Sequence, residues 1–215
     1  MNEGVGARAF YGALRVIAFG LARIFFRIRF IGLEHVPASG PFVLAPSHRS
    51  LLDIPFSGLV TKRRVCFMAK KELFEKRSLA WFFGALGGFP VDRGATDRAA
   101  LRAAQEILDH GEPLALFPEG TRNSGPELGP LFDGAAFLAT RAGVPIVPVG
   151  VGGSEEILPS GTRWPKFQRV SVVVGRPIVA PPIDHRVRRR DVTELTEALR
   201  VELQRVFSEA LGQVR

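Results

Sequence analysis

Phe42-Val43-Leu44-Ala45-Pro46-Ser47-His48-Arg49-Ser50-Leu51-Leu52-Asp53 is the stretch on which the reading of this chain turns. Its first four residues are a short apolar run that predicts a buried strand ending in a loop. A helix is expected to begin near Leu51. Strand, loop and helix in that order open an α/β layer fold, and open α/β sheets hold ligands beyond the carboxyl ends of their strands. Here the loop sets His48 five positions before Asp53. An aspartate that accepts a hydrogen bond from one imidazole nitrogen fixes the tautomer and leaves the other nitrogen free to take a proton from a hydroxyl. Histidine titrates near neutral pH, which suits a general base. A loop-capping pair with no chemistry gives the same spacing, so the neighbouring blocks have to decide.

Three blocks follow: Gly87-Gly88-Phe89-Pro90-Val91-Asp92-Arg93-Gly94, then Phe117-Pro118-Glu119-Gly120-Thr121-Arg122-Asn123, then Val144-Pro145-Ile146-Val147-Pro148-Val149. Each contains or follows an apolar strand-like run. The first two bring an arginine close to glycine, and a guanidinium with accessible backbone N–H groups is chemistry for a phosphate. One candidate base and two candidate clamps on a single sheet point to a reaction of a phosphorylated alcohol.

In this order and at these distances the four blocks resemble the glycerolipid acyltransferases typified by 1-acyl-sn-glycerol-3-phosphate acyltransferase. The resemblance runs from about Phe42 to about Gly150. One departure is Ser47, where that family commonly has asparagine; serine can also hydrogen-bond the loop backbone. The resemblance implies that His48 is the general base and Asp53 its orienting partner. It implies further that the acceptor's phosphate sits among Arg93, Arg122 and the backbone of Gly120 and Thr121. Glu119 then takes part in substrate binding or in holding the site together. Lys70, with Lys71, supplies positive charge near the headgroup unless both are solvated surface lysines, and Val144 to Val149 lines the acyl-binding region.

The implied reaction moves a fatty acyl group from acyl-CoA or acyl-carrier protein to the sn-2 hydroxyl of lysophosphatidic acid, giving phosphatidic acid. Glycerol 3-phosphate or another lysolipid as acceptor, and a non-catalytic lipid-binding protein of the same fold, are the alternatives. Thioesters leave readily, so direct attack by the acceptor is expected, with no metal and no cofactor. Ser47, Ser50 and Ser57 lie close by, but no Gly-x-Ser-x-Gly elbow is present to activate a serine.

Composition fits an enzyme at a membrane surface. The 215 residues suit one domain with a sizeable core. Lys and Arg number 29 against 21 acids, a formal charge of +8, which favours anionic partners. The basic run Arg186-Val187-Arg188-Arg189-Arg190 lacks aromatic interleaving and any nucleic-acid motif, so it reads as a solvated loop or a second contact with anionic lipid, and nucleic acid is not expected. Cys66, the single cysteine, lies in an apolar strand and reads as a packed core thiol. His35, His110 and His185 read as structural.

The first thirty residues carry no acid between Glu3 and Glu34 and are dominated by apolar side chains. On a helical wheel at roughly 100° per residue, Arg8, Arg15, Arg23, Arg27 and Arg29 fall within about 160° of one another. That predicts an amphipathic helix with a basic stripe lying in the headgroup plane, too interrupted by charge to span a bilayer; a helix packed on the domain itself is the alternative. The expected organisation is therefore an N-terminal membrane-interfacial element over residues 1–30 and an α/β domain over residues 31–215. The expected location is the cytoplasmic face of the membrane, peripheral or monotopic. The remaining pattern predicts a mixed, largely parallel sheet flanked by helices. Strands are expected at 28–33, 42–45, 65–69, 114–117, 146–151 and 170–174. Helices are expected from near Leu51, from Thr96 to about Leu108, from about Leu131 to Ala142, and after a capping box formed by Asp191 and Glu194. The two prolines of the last block suggest an edge strand or an irregular wall.

Overall fold

A computed structural model describes residues 5–91, 98–157, 166–180 and 187–214, apart from the side chains of Val5, Arg8 and Arg98. Thirteen elements carry the fold. A long helix α1 (Val5–Phe26) leads into strand β1 (Arg29–Ile31) and then β2 (Val43–Pro46). Helix α2 (Asp53–Gly58), β3 (Cys66–Lys70), α3 (Arg77–Ala85) and β4 (Gly88–Val91) follow. Next come α4 (Arg98–Asp109), β5 (Leu114–Ala115), α5 (Gly134–Ala142), β6 (Ile146–Gly152), β7 (Ser171–Val174) and a C-terminal helix α6 (Arg189–Gly212). The seven strands make one sheet in the order β1-β7-β6-β2-β5-β3-β4. Every pair is parallel except β6 with β7. The expected α/β class with a mixed, largely parallel sheet is what the chain forms.

Alternation along the strands divides the core in two. Val43, Ala45, Cys66, Leu114 and Ile146 point to one face, where α4, α5 and α6 cover them. Leu44, Ala115, Val147 and Val149 point to the other face, covered by α1 and α2. Helix α6 packs closely on β6. A Cβ on Gly150 would lie 2.4 Å from the Val206 carbonyl group, and one on Gly152 would lie 2.5 Å from the Ala210 carbonyl carbon. Only hydrogen side chains let the helix backbone approach the strand so nearly.

Several expectations are corrected. β4 and α3 were not anticipated as elements. β4 is an edge strand: Phe67 N–H donates to Gly87 O, so Pro90 falls where its missing N–H would have faced outward. Proline at that position blunts the edge. The last block is no edge, since β6 is wholly buried between β2 and β7. Pro148 is tolerated there because the antiparallel ladder to β7 starts one residue later, at Val149 with Val174. Helix α6 starts at Arg189, with Arg188 as the capping residue and no side-chain cap. Asp191 lies in the first turn, where a negative charge favours the helix dipole, and Glu194 pairs with Arg190 instead of closing a capping box. Thr96 and His185 lie outside the described residues. The boundary expected at residue 30 falls inside β1, where Phe30 pairs with Val172.

The basic stripe on α1 is also corrected. The helix ends at Phe26, so Arg27 and Arg29 are not part of it. Arg15 faces the domain, donating to Thr61 O at 2.8 Å and Leu59 O at 3.1 Å. Those carbonyls lie at and just beyond the C-terminal end of α2, where a helix leaves acceptors unsatisfied. Arg23 donates to Ile28 O and covers the Phe19 ring. The outward face carries Val16, Ile17, Leu21, Ile24 and Phe25 instead. Ile24 is 72% exposed, and Phe25 stacks on Phe167, itself 71% exposed. By length and composition the segment Ala9–Phe26 is sufficient to cross a membrane, contrary to the expectation from its charges.

The α6–β6 contact makes a stability prediction. In Gly150→Val the new side chain meets helix backbone rather than a movable side chain. The loss should sit at the upper end of the about 1–3 kcal/mol typical of overpacking. Urea denaturation should show a lower midpoint with an unchanged slope.

Candidate active site

β2 and β5 are neighbours, yet the chain leaves them in opposite directions. After β2 it crosses through α2 toward β3, and after β5 it crosses through α5 on the other face toward β6. A parallel sheet opens a crevice at such a divergence, beyond the carboxyl ends of the strands. The His48 loop follows β2 and the Phe117–Asn123 loop follows β5, so the first and third blocks meet at that crevice.

Asp53 is fully buried at the start of α2. Its Oδ2 accepts from Arg49 N–H at 2.5 Å, Ser50 N–H at 2.6 Å and His48 Nδ1 at 3.3 Å. A carboxylate can only accept, so the imidazole carries its proton on Nδ1 and Nε2 is the nitrogen with a lone pair. Nε2 has no partner among the described residues. The ring packs against Phe117, with centroids 4.1 Å apart. Ser47 Oγ accepts from Val151 N–H at 3.0 Å and so ties the loop to β6.

Glu119 lies beneath this pair, 1% exposed. Its carboxylate accepts from His48 N–H, Arg49 Nη1, Asn123 Nδ2 and Gly129 N–H, each at 2.9–3.0 Å. The four protein donors are what one of the two roles implied by the resemblance, holding the site together, requires. Arg49, to which the sequence reading gave no role, reaches Glu119 from the first block with a side chain only 2% exposed. Sequence offers one signal for it, an arginine inside an otherwise apolar and hydroxyl-rich loop. Its partner is 70 positions away and unreadable by spacing.

Gly120 N–H donates to Phe117 O at 3.0 Å and closes a tight turn, with φ at 65°. That N–H is thus already engaged within the turn. A side chain there would collide with the Phe132 ring, 2.8 Å from the Cβ position. Thr121 and Arg122 are exposed beyond the turn and bond to no described residue. The next residue, Asn123, donates its N–H to His48 O at 2.9 Å, so Arg122 stands one residue from a direct contact with the histidine. Lys70 is exposed at the carboxyl end of β3, two strands from β2. Arg93 lies outside the described residues. Cys66 is buried in β3, and burial pushes its thiol up to about 11, so it stays protonated at neutral pH.

The acyltransferase family model matches residues 27–152, the span that holds β1 to β6 and both loops. This chain belongs to the acyltransferase family. It is 30% identical over 167 residues to the 1-acyl-sn-glycerol-3-phosphate acyltransferase of Bacillus subtilis, covering 77% of this chain and 81% of that one. It is 29% identical over 208 residues to the enzyme of the same name from Streptococcus pneumoniae, covering 95% and 75%. The crystal structure of the 1-acyl-sn-glycerophosphate acyltransferase PlsC from Thermotoga maritima matches 96% of this acyltransferase and 83% of its own chain. The TM-score is 0.74 at 24% identity, so the two share a fold.

Proposed function

We propose that this acyltransferase moves a fatty acyl group from a thioester to the sn-2 hydroxyl of lysophosphatidic acid, with His48 as the general base. The observation that carries the reading is the His48–Asp53 pair: a buried carboxylate on Nδ1 and an Nε2 with no partner among the described residues, at the carboxyl end of β2. The names of the relatives support the acceptor. Nε2 takes the hydroxyl proton as the oxygen attacks the thioester carbonyl. The tetrahedral adduct then expels the thiolate, which recovers that proton from the imidazolium and leaves as the thiol. Acyl-CoA and acyl-carrier protein both supply such a thioester. No acyl-enzyme, metal or cofactor enters this sequence.

The acceptor's phosphate is assigned to Arg122 and the Thr121 N–H, with Arg93, two positions after the end of β4 in the sequence, as second clamp. Arginine forks onto phosphate oxygens and keeps its charge when partly desolvated. Lys70 adds positive potential at the same end of the sheet. The substrates are lipids, so the outward face of α1 is assigned to an anionic membrane surface on the cytoplasmic side, the protein being peripheral or monotopic. The contacts of Tyr11 and Arg15 with residues 59–63 support a helix lying along the domain, half inserted. Nucleic acid has no place in this reading.

The test is turnover with lysophosphatidic acid and an acyl thioester. His48→Ala should lower kcat by at least about a hundredfold, the usual share of general base catalysis, and Asp53→Asn should also be costly. Arg122→Ala should raise the acceptor's KM about ten- to a hundredfold, at about 1.5–3 kcal/mol for a charge-assisted contact, and spare that of the thioester. Full activity in folded His48→Ala would end the base assignment. Faster use of glycerol 3-phosphate than of lysophosphatidic acid would overturn the acceptor.

Membrane attachment makes its own prediction. Replacing Ile17 and Ile24 with aspartate should weaken partitioning onto phosphatidylglycerol vesicles by at least about a hundredfold, since a buried isoleucine is worth about 1.5–3 kcal/mol. Turnover of a short-chain soluble acceptor should persist. Unchanged vesicle binding in this variant would remove the helix face from the interface.

A further inference from the structure

The chemistry assigned to His48 depends on where its ring stands, and a ring stands where its two flanking peptide units are held. Both units are gripped by one buried group. On the amino side, His48 N–H donates to Glu119 Oε1 at 2.9 Å. On the carboxyl side, His48 O accepts from Arg49 Nη1 at 3.0 Å and from Asn123 N–H at 2.9 Å. Arg49 Nη1 and Asn123 Nδ2 both bond the Glu119 carboxylate as well. The guanidinium itself has little freedom to shift. Its Nε donates to Gly125 O at 3.2 Å, its Nη2 donates to Glu127 O at 2.8 Å, and it lies 4.5 Å over the ring of Phe207 on α6. Meanwhile the Arg49 main-chain N–H holds Asp53 Oδ2.

We propose that Arg49 is a positioning residue for the acyl transfer: through Glu119 it locks the backbone on both sides of His48 to the Phe117–Asn123 loop, so that base and phosphate-binding loop form one rigid unit. Neither residue touches substrate in this account, which rests on the reading of His48 as the base. A lysine could face Glu119 with the same charge. It could not also reach the carbonyls of His48, Gly125 and Glu127 in a planar fork, so the site specifies arginine rather than positive charge.

A merely structural ion pair and a positioning one separate in a double substitution. Arg49→Met or Glu119→Met alone leaves a buried charge unpaired and should lower Tm. The double variant R49M/E119M removes both charges and should regain most of that Tm, as apolar replacement of buried pairs does elsewhere. With positioning, the folded double variant should still show kcat down about ten- to a hundredfold, the scale of a misplaced catalytic group, with an unchanged KM for the thioester. Arg49→Lys should show the same kcat loss with a smaller change in Tm, which keeps the test decisive should the double variant fold poorly. Wild-type kcat in either folded variant overturns the proposal. So does a loss confined to the acceptor's KM, which would make the pair part of the phosphate site. His48→Ala serves as the control: if it keeps full activity the base assignment has failed, and if it is inactive beside a fully active R49M/E119M the failure belongs to Arg49.

Discussion

A carboxylate buried at the end of a parallel sheet has to be surrounded by donors, and much of the site's shape follows from how Glu119 meets that demand. Removing one partner of a buried pair typically costs about 3–5 kcal/mol, because the remaining charge is left without solvent or counterion. Each donor to Glu119 is therefore pinned by its own bond. The donors come from the loop after β2, from the Glu119 loop itself and from Gly129, ten residues further on. Three segments with little regular structure of their own are fixed against one another by a single charge. That order holds the His48 loop in place without a helix or strand of its own.

The unit rests in turn on the packing of α6. Its Phe207 supports the Arg49 guanidinium, and its Gln204 accepts from Leu128 N–H and donates to Pro126 O, holding the segment that returns to Gly129. These contacts require the helix axis to lie unusually near β6, which Gly150 and Gly152 allow. A helix at the far end of the chain thus sets the floor of a site whose motifs all lie earlier in the sequence.

What the sequence disclosed and what it withheld divide along physical lines. Strands β2, β3, β6 and β7 are largely apolar, and burial on both faces of a mostly parallel sheet produces just such runs. β4 escaped because Gly88-Phe89-Pro90-Val91 mixes turn residues into four positions, and its proline serves the outer edge. Pro148 misled in the reverse sense: whether a proline is tolerated depends on which way its N–H would point, and that is a property of register. His48 and Asp53 were legible since five residues of loop and helix start bring them together. Arg49 was not, because its meaning lies in Glu119 and in a helix about 160 residues away. The Gly120 N–H bond to Phe117 O was equally hidden, since a turn's internal hydrogen bond is invisible until the turn is seen.

The same distinction governs α1. A helical wheel correctly groups side chains by direction but carries no information about which direction is inward. The usual assumption sets arginine outward, yet α2 ends in unsatisfied carbonyls and a guanidinium is the side chain best able to reach several of them. Arg15 therefore turns inward, and the apolar side of the helix is left facing away from the domain with Phe25 and Phe167 stacked at one end. In water that exposure is unfavourable by the usual area rule, so the arrangement is stable against its own surface energy only where something apolar covers it. The arginine's inward bonds and the helix's outward apolar side chains are thus one constraint seen from two sides: satisfying the end of α2 turns Arg15 inward and leaves Val16, Ile17, Leu21, Ile24 and Phe25 on the outer face.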